Sequence, residues 1–254
     1  MQTVIPKTSA ALTSLLRADF KTQWRNRRSV VLLLLVPVLI LISWKGLIVK
    51  VGGAYVFSTC ITIALIAIGL MGYSNAIARD RDKGVFQRLR VAPVPTWCIM
   101  GSRLIVQLFL IILVTTIIFL VGSEYDKVNL SPAGYALTYV SAFIGGALYL
   151  GLGQMIVGLI KNAETVNSTT RLVYFVFIMV GMLGGVLIAS KEITNKGLIN
   201  LIYWSPYGTV KTILASSMQP DTWNTNSTLA LFATIGYALL FIFLGIKNFK
   251  WNSN

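Results

Sequence analysis

The chain has no histidine, two cysteines and only eight acidic residues among 254. Without histidine there is no imidazole general base, no histidine-ligated haem and no histidine-bearing zinc site. Cys60 lies in an apolar run and Cys98 in a polar stretch, so no disulfide framework is expected. The acids are Asp19, Asp80, Asp82, Glu124, Asp126, Glu164, Glu192 and Asp221, and none falls in the middle of a long apolar run. Ion-driven carriers usually need an intramembrane carboxylate to bind the ion, and no inverted pair of broken apolar segments is visible either. The Gly-x-x-x-x-Gly-Lys-Ser/Thr phosphate loop is also missing, which excludes nucleotide binding by that route. Pro6 to Arg28 is polar and basic, with no small-residue cleavage site after a short apolar core, so no cleavable leader is expected.

What is abundant is apolar sequence. Hydrophobic residues make up 56% of the chain and charged residues 12%, and the apolar residues come in runs long enough to span a bilayer. The expected fold is an all-α integral membrane protein with six transmembrane helices. The spans fall at about 29–47, 53–78, 104–121, 134–160, 172–189 and 228–245. Residues 1–28 form a tail with an interfacial amphipathic helix, in which Leu12, Leu15, Leu16, Phe20 and Trp24 alternate with Arg17, Lys21 and Arg25. Residues 29–246 form the membrane domain and 247–254 a polar tail. Pro37 interrupts the first span, and Lys45 snorkels at its far end. The fourth span is rich in small residues, including Gly145, Gly146, Gly151, Gly153 and Gly158, and the fifth carries Gly181-x-x-x-Gly185. The stretch 190–218, with Tyr203, Trp204 and Tyr207, is too broken for a span and reads as a short outer-face helical pair or re-entrant segment.

The formal net charge is +14. The basic residues lie beside apolar runs, which points to membrane topology and not to nucleic acid. With the amino end inside, the inner segments collect most of them, while the outer segments hold only Lys45, Lys50, Lys127, Lys191, Lys196 and Lys211. Both termini and the loop at 79–103 are therefore expected in the cytoplasm, in a multi-pass protein of the cell membrane.

That loop is the densest charge cluster in the chain. Arg79-Asp80-Arg81-Asp82-Lys83-Gly84 alternates in sign, and Val85, Phe86 and Leu89 follow at helical spacing, predicting a short amphipathic helix over about 80–90 that Pro93 and Pro95 stop. Such a helix cannot lie in lipid; it rests on the membrane face or docks on something in the water.

The order Asp80-Arg81-Asp82-Lys83-Gly84, Leu89, Pro93, Gly101, Arg103 resembles the first cytoplasmic loop of ABC-2-type transporter permeases, as does Ser205-Pro206 before the last span. The family usually has Glu where this chain has Asp80 and Asp82, and often Thr where it has Val85. The resemblance implies a permease subunit of a bacterial ABC exporter whose coupling helix docks on a separate ATP-binding cassette ATPase. ATP and Mg are then bound by that partner, and this chain is not itself an enzyme and carries no cofactor. Two copies, or one with a close homologue, pair over two ATPase subunits, with the first and fifth spans lining the pairing contact and, with the second, the pathway. The implied coupling residues are Asp80, Arg81, Asp82, Lys83, Gly84, Phe86, Leu89 and Arg90, with Phe86 and Leu89 filling a groove on the partner. The substrate is amphipathic (a drug, peptide antibiotic or lipid-like molecule), with polysaccharide or teichoic acid as the alternative within the family. Asn167, Thr170, Tyr174 and Phe177 either line its path or pack in the core. A passive channel or facilitator, needing no ATPase, is the reading from another class.

Overall fold

The computed structural model describes residues 8–25, 27–90, 96–125, 127, 130–189 and 195–249. Among these residues every regular element is helical. In chain order they are α1 (Thr8–Arg25), α2 (Arg27–Ser43), α3 (Lys45–Val51), α4 (Gly53–Ile66), a π-helical stretch (Ala67–Ser74), α5 (Asn75–Asp82), α6 (Val85–Arg90), α7 (Thr96–Tyr125), α8 (Pro132–Leu159), α9 (Ala163–Ile178), a second π-helical stretch (Met179–Leu183), α10 (Gly184–Ala189), α11 (Lys196–Trp204), α12 (Pro206–Met218), a 3₁₀ turn (Pro220–Thr222) and α13 (Thr225–Asn248). Four helical runs are long and apolar enough to cross a membrane: Gly53–Asp82, Cys98–Glu124, Pro132–Leu159 and Thr225–Asn248. Leu33–Ser43 is a shorter apolar helix.

Helix starts follow the sequence. Ser131 accepts from the Gly134 amide with Pro132 at the first helical position, and Ser205 does the same for Gly208 with Pro206. Asn162, Asn195 and Asn224 cap α9, α11 and α13 in the same way.

The run from α4 through α5 is the centre of the bundle, and every α4 residue from Val56 to Ile66 is buried. Its π-helical stretch is closed by the Ser74 hydroxyl, which donates to the Gly69 carbonyl at 2.8 Å. α8 packs there at backbone range. A Cβ on Gly69 would collide with the Tyr149 backbone, and one on Gly153 would collide with Ser74 Oγ and the Gly69 carbonyl. Further along, a Cβ on Gly158 would come within 2.8 Å of the Gly245 carbonyl of α13. The small residues of α8 thus stand where neighbouring helices cross, as close packing in lipid requires. Gly181 and Gly185 are used within the chain: a Cβ on the first would strike the Tyr207 ring, and one on the second would come within 2.7 Å of the Tyr55 hydroxyl.

Residues 196–218 form a helical hairpin that dips into the bundle. The Tyr149 hydroxyl donates to the Pro206 carbonyl at 3.2 Å, and the Tyr237 hydroxyl donates to the Trp204 carbonyl at 2.9 Å. At 1.5 Å per residue, Tyr149 stands about 25 Å along α8 from Pro132, and Tyr237 about 18 Å along α13 from Thr225. α12 then climbs back along α8, with Ser217 bonded to Ser141 at 2.6 Å. The described part of this stretch is a pair of helices packed against α8 and α13; residues 190–194 lie outside the described set.

Gly153→Val should destabilise the bundle by about 1–3 kcal/mol through overpacking against backbone. Gly236→Val, where a Cβ meets nothing within 4 Å, should change stability by no more than about 0.5 kcal/mol. Unfolding by denaturant in mixed micelles compares the two, and equal losses would remove the packing role of Gly153.

Candidate functional site

The charged loop folds differently from the single helix its spacing predicts. Asp80, Arg81 and Asp82 complete the long helix that begins at Gly53; Lys83 and Gly84 make a turn, and α6 starts afresh at Val85. Gly84 has φ +65°, in the left-handed region, and its amide donates to the Arg81 carbonyl at 3.0 Å. It is a glycine C-cap, and a side chain there would be strained. Residues 91–95, with Pro93 and Pro95, lie outside the described set.

Arg81 is buried, 1% exposed. Its guanidinium donates to the Val157 and Ile160 carbonyls, each at 2.7 Å, and to the Lys161 carbonyl. These are the last carbonyls of α8 and its exit, which have no partner within the helix and carry the negative end of its dipole. Asp80 pairs with Arg103 of α7 at 2.6 Å. Arg103 in turn lies 4.9 Å over the Phe86 ring. On α1, Asp19 accepts from Ser102 at 2.5 Å, and Phe20 meets Phe109 edge-on at 5.2 Å. The amphipathic first helix is therefore fastened to the start of α7.

Phe86 is the correction. Its ring is fully buried and packs edge-on against Phe249 at 6.0 Å. It fills a gap inside this chain, beneath α6, and is not available to fill a groove on a partner. Leu89 is partly buried against the same core. The side chains turned outward here are Arg79 and Asp82 of α5, Lys83 of the turn, and Gln87 and Arg88 of α6. Arg88 folds back, donating to the Lys83 carbonyl at 2.9 Å. Arg90 ends α6, and its side chain lies outside the described set. The loop reading missed the burial of Arg81; its signal was an arginine one helical turn beyond Ile77 and Ala78, on the same face as a buried stripe.

The four residues proposed for a substrate path share one face of α9. Thr170 is buried, 3.4 Å from Asn75 Oδ1, and Phe177 meets the Tyr149 ring edge-on at 6.2 Å. Asn167 and Tyr174 are half-buried beside them. Within one chain this face packs on α5 and α8, while Leu172 and Phe175 point outward.

The family profile described as ABC-2 type transporter matches residues 10–218. The chain belongs to that family. It is also similar to a protein of Bacillus subtilis (strain 168) named "Putative transport permease YvfS", at 22% identity over 236 residues, covering 89% of this chain and 92% of the relative.

Two outcomes test the site. Arg81→Met should cost at least about 2 kcal/mol, because the α8 carbonyls lose charge-assisted donors. Arg81→Lys should recover little of it, since an ammonium lacks the planar fork that spans three carbonyls. Denaturant unfolding decides, and full rescue by lysine would show that only the charge matters.

Burial pushes the Asp19 carboxyl up from its ordinary 3.8; the Ser102 hydrogen bond and the Arg103 charge pull it back, and Asp80 raises it further. A raised acid contributes stability that is full below 3.8 and lost as pH rises through its folded value. Asp19→Asn should flatten the fall in thermal midpoint just above 3.8. An unchanged profile would exclude Asp19 as the titrating group.

Proposed function

We propose that this chain is the membrane-spanning subunit of an exporter driven by a separate ATP-binding cassette subunit, which docks on α6 and the turn before it. The supporting observation is the build of that corner. A short helix with Gln87 and Arg88 turned outward, entered by a turn that exposes Asp82 and Lys83, is held from behind by Arg81 on α8, by Asp80 on Arg103 and by Phe86 on Phe249. A merely solvated connector does not need a buried arginine and a buried aromatic. ATP and Mg belong to the partner, and this chain supplies the path and the movement.

In this reading six spans cross the membrane: the four long helices, α2, and the run from α9 through α10. The corner bearing α6 is cytoplasmic. α1 and Phe249 lie at that same corner, which supports both ends of the described chain on the cytoplasmic side. Two copies pair over two ATPase subunits. Val31, Leu35 and Leu39 of α2, with Leu172, Phe175 and Val176 of α9, are exposed in the single chain and suit a second copy or lipid. ATP closes the paired ATPases, the α6 corner moves as a rigid body, and an amphipathic substrate passes outward.

Charge reversal tests the docking face. Arg88→Glu leaves the buried anchors intact, so the protein should reach the membrane at normal levels. It should weaken ATPase binding by about ten- to a hundredfold, the scale of losing a favourable contact and gaining a repulsive one. Co-purification with the ATPase and substrate-stimulated ATP hydrolysis are the readouts. Normal coupling in Arg88→Glu and also in Lys83→Glu would remove α6 as the docking element.

A further inference from the structure

In the six-span reading the hairpin carries a lysine inside the membrane-spanning bundle, where lysines are rare. Lys211 lies on α12 about 8 Å back from the Pro206 tip, at 1.5 Å per residue. Its Nζ sits 3.4 Å from the centroid of the Tyr55 ring on α4. It opens on a cavity of about 320 Å³ between α4, α10 and the hairpin, whose wall includes Tyr55, Gly185, Tyr203, Tyr207 and Lys211. No carboxylate lines that cavity among the described residues. The rest of the wall is mostly apolar, with Ile199 and Ile202 on α11 and Ala215 on α12. Gly185 keeps the space beside the charge open: a Cβ there would stand 3.4 Å from Lys211 Nζ and 2.7 Å from the Tyr55 hydroxyl.

A charge held at membrane depth is costly unless it meets an opposite charge or water, and such residues usually mark a ligand or ion path. The tyrosine ring offsets part of that cost, because its face attracts a cation, but it leaves the ammonium's outward hydrogens without an acceptor anion. A phosphate, sulfate or carboxylate would supply one by charge-assisted hydrogen bonds. The apolar wall of α11 suits the body of the same molecule. The hairpin thus offers one cationic point and one greasy wall within a single cavity.

We propose that the cavity around Lys211 binds amphiphiles with an anionic head, the head on Lys211 and the apolar body along Ile199 and Ile202. Binding by this chain does not depend on the exporter reading. Joined to that reading, it narrows the cargo to anionic amphiphiles. The head can come from a single-chain molecule or from a membrane lipid, and the test separates them.

The full chain in phosphatidylcholine nanodiscs is titrated with radiolabelled dodecyl phosphate and with dodecylphosphocholine, which has the same tail and no net charge. The wild type should bind the anion about tenfold tighter, the scale of one charge-assisted hydrogen bond. Lys211→Gln should lose that preference and Lys211→Arg should keep it. Should Lys211→Gln fail to fold by circular dichroism and size exclusion, Gly185→Val takes its place: it fills the cavity with the lysine intact and should abolish anion binding. Replacing a tenth of the disc lipid with phosphatidylglycerol assigns the source. Suppressed dodecyl phosphate binding supports a two-chain lipid as occupant, and unchanged binding supports a single-chain one. Equal affinity for the two probes in the wild type, or an undiminished preference in both Lys211→Gln and Gly185→Val, would overturn the proposal. Because no ATPase is present, a failure here leaves the docking reading untouched, and the reverse also holds.

Discussion

The guanidinium of Arg81 on the end of α8 is the interaction that gives the α6 corner its form. Three carbonyls at or just past the end of a helix have no amide to bond them, in one buried and two partly buried contacts. Left bare, they would hold the negative end of the helix dipole without a partner. An arginine answers both needs, bonding several carbonyls with one planar group and placing a positive charge at the negative end of the dipole. The consequence is geometric. The last turn of the central helix cannot move without α8, and the turn at Gly84 starts α6 from that fixed point.

From there the bundle offers a short mechanical route. α8 touches the π-helical stretch at Gly69 and Gly153, α13 at Gly158 and Gly245, and the hairpin at Ser141 and Gly145, all at close range. Close-packed interfaces transmit displacement, because there is little void to absorb it. In the exporter reading, a push on α6 therefore reaches α8 through Arg81, and the hairpin through α8. No flexible linker intervenes between the water-facing corner and the cavity at Lys211 among the described residues. The same route explains why the glycines cluster on α8 and not on α13, whose outer face is Phe232, Leu239 and Phe243.

Much of this was legible in the order of residues. Apolar runs gave the long helices to within a few positions, because lipid demands continuous helix and the chain shows it as composition. The fifth span, expected from 172, belongs to a helix that already begins at Ala163, because Asn162 caps it ahead of the apolar run. The charge cluster marked the end of the central helix and the turn that follows it. What stayed hidden was direction. Asp80 to Arg90 fits one amphipathic helix by spacing, and only the left-handed φ at Gly84 divides it. Phe86 looks like a surface anchor until Phe249 arrives from the far end of the chain, and Arg81 looks solvated until α8 ends beside it. Lys211 counted as an outer-segment lysine, because sequence distance from an apolar run says nothing about a hairpin that packs back into the bundle. The break at Gly84 is local, but the burial of Phe86 and Arg81 comes from contacts between residues far apart in sequence, which periodicity cannot see.

The central claim is that α6 is a docking element held in place from inside. Gln87 is exposed on α6, and Phe232 is exposed on the apolar face of α13. A photoreactive side chain in place of each, activated in intact membranes, identifies by mass spectrometry what each face meets. The account predicts an ATP-binding cassette subunit covalently joined at position 87, and lipid or a second copy of this chain at 232. Lipid alone at position 87, with the ATPase present in the same membranes, would contradict it.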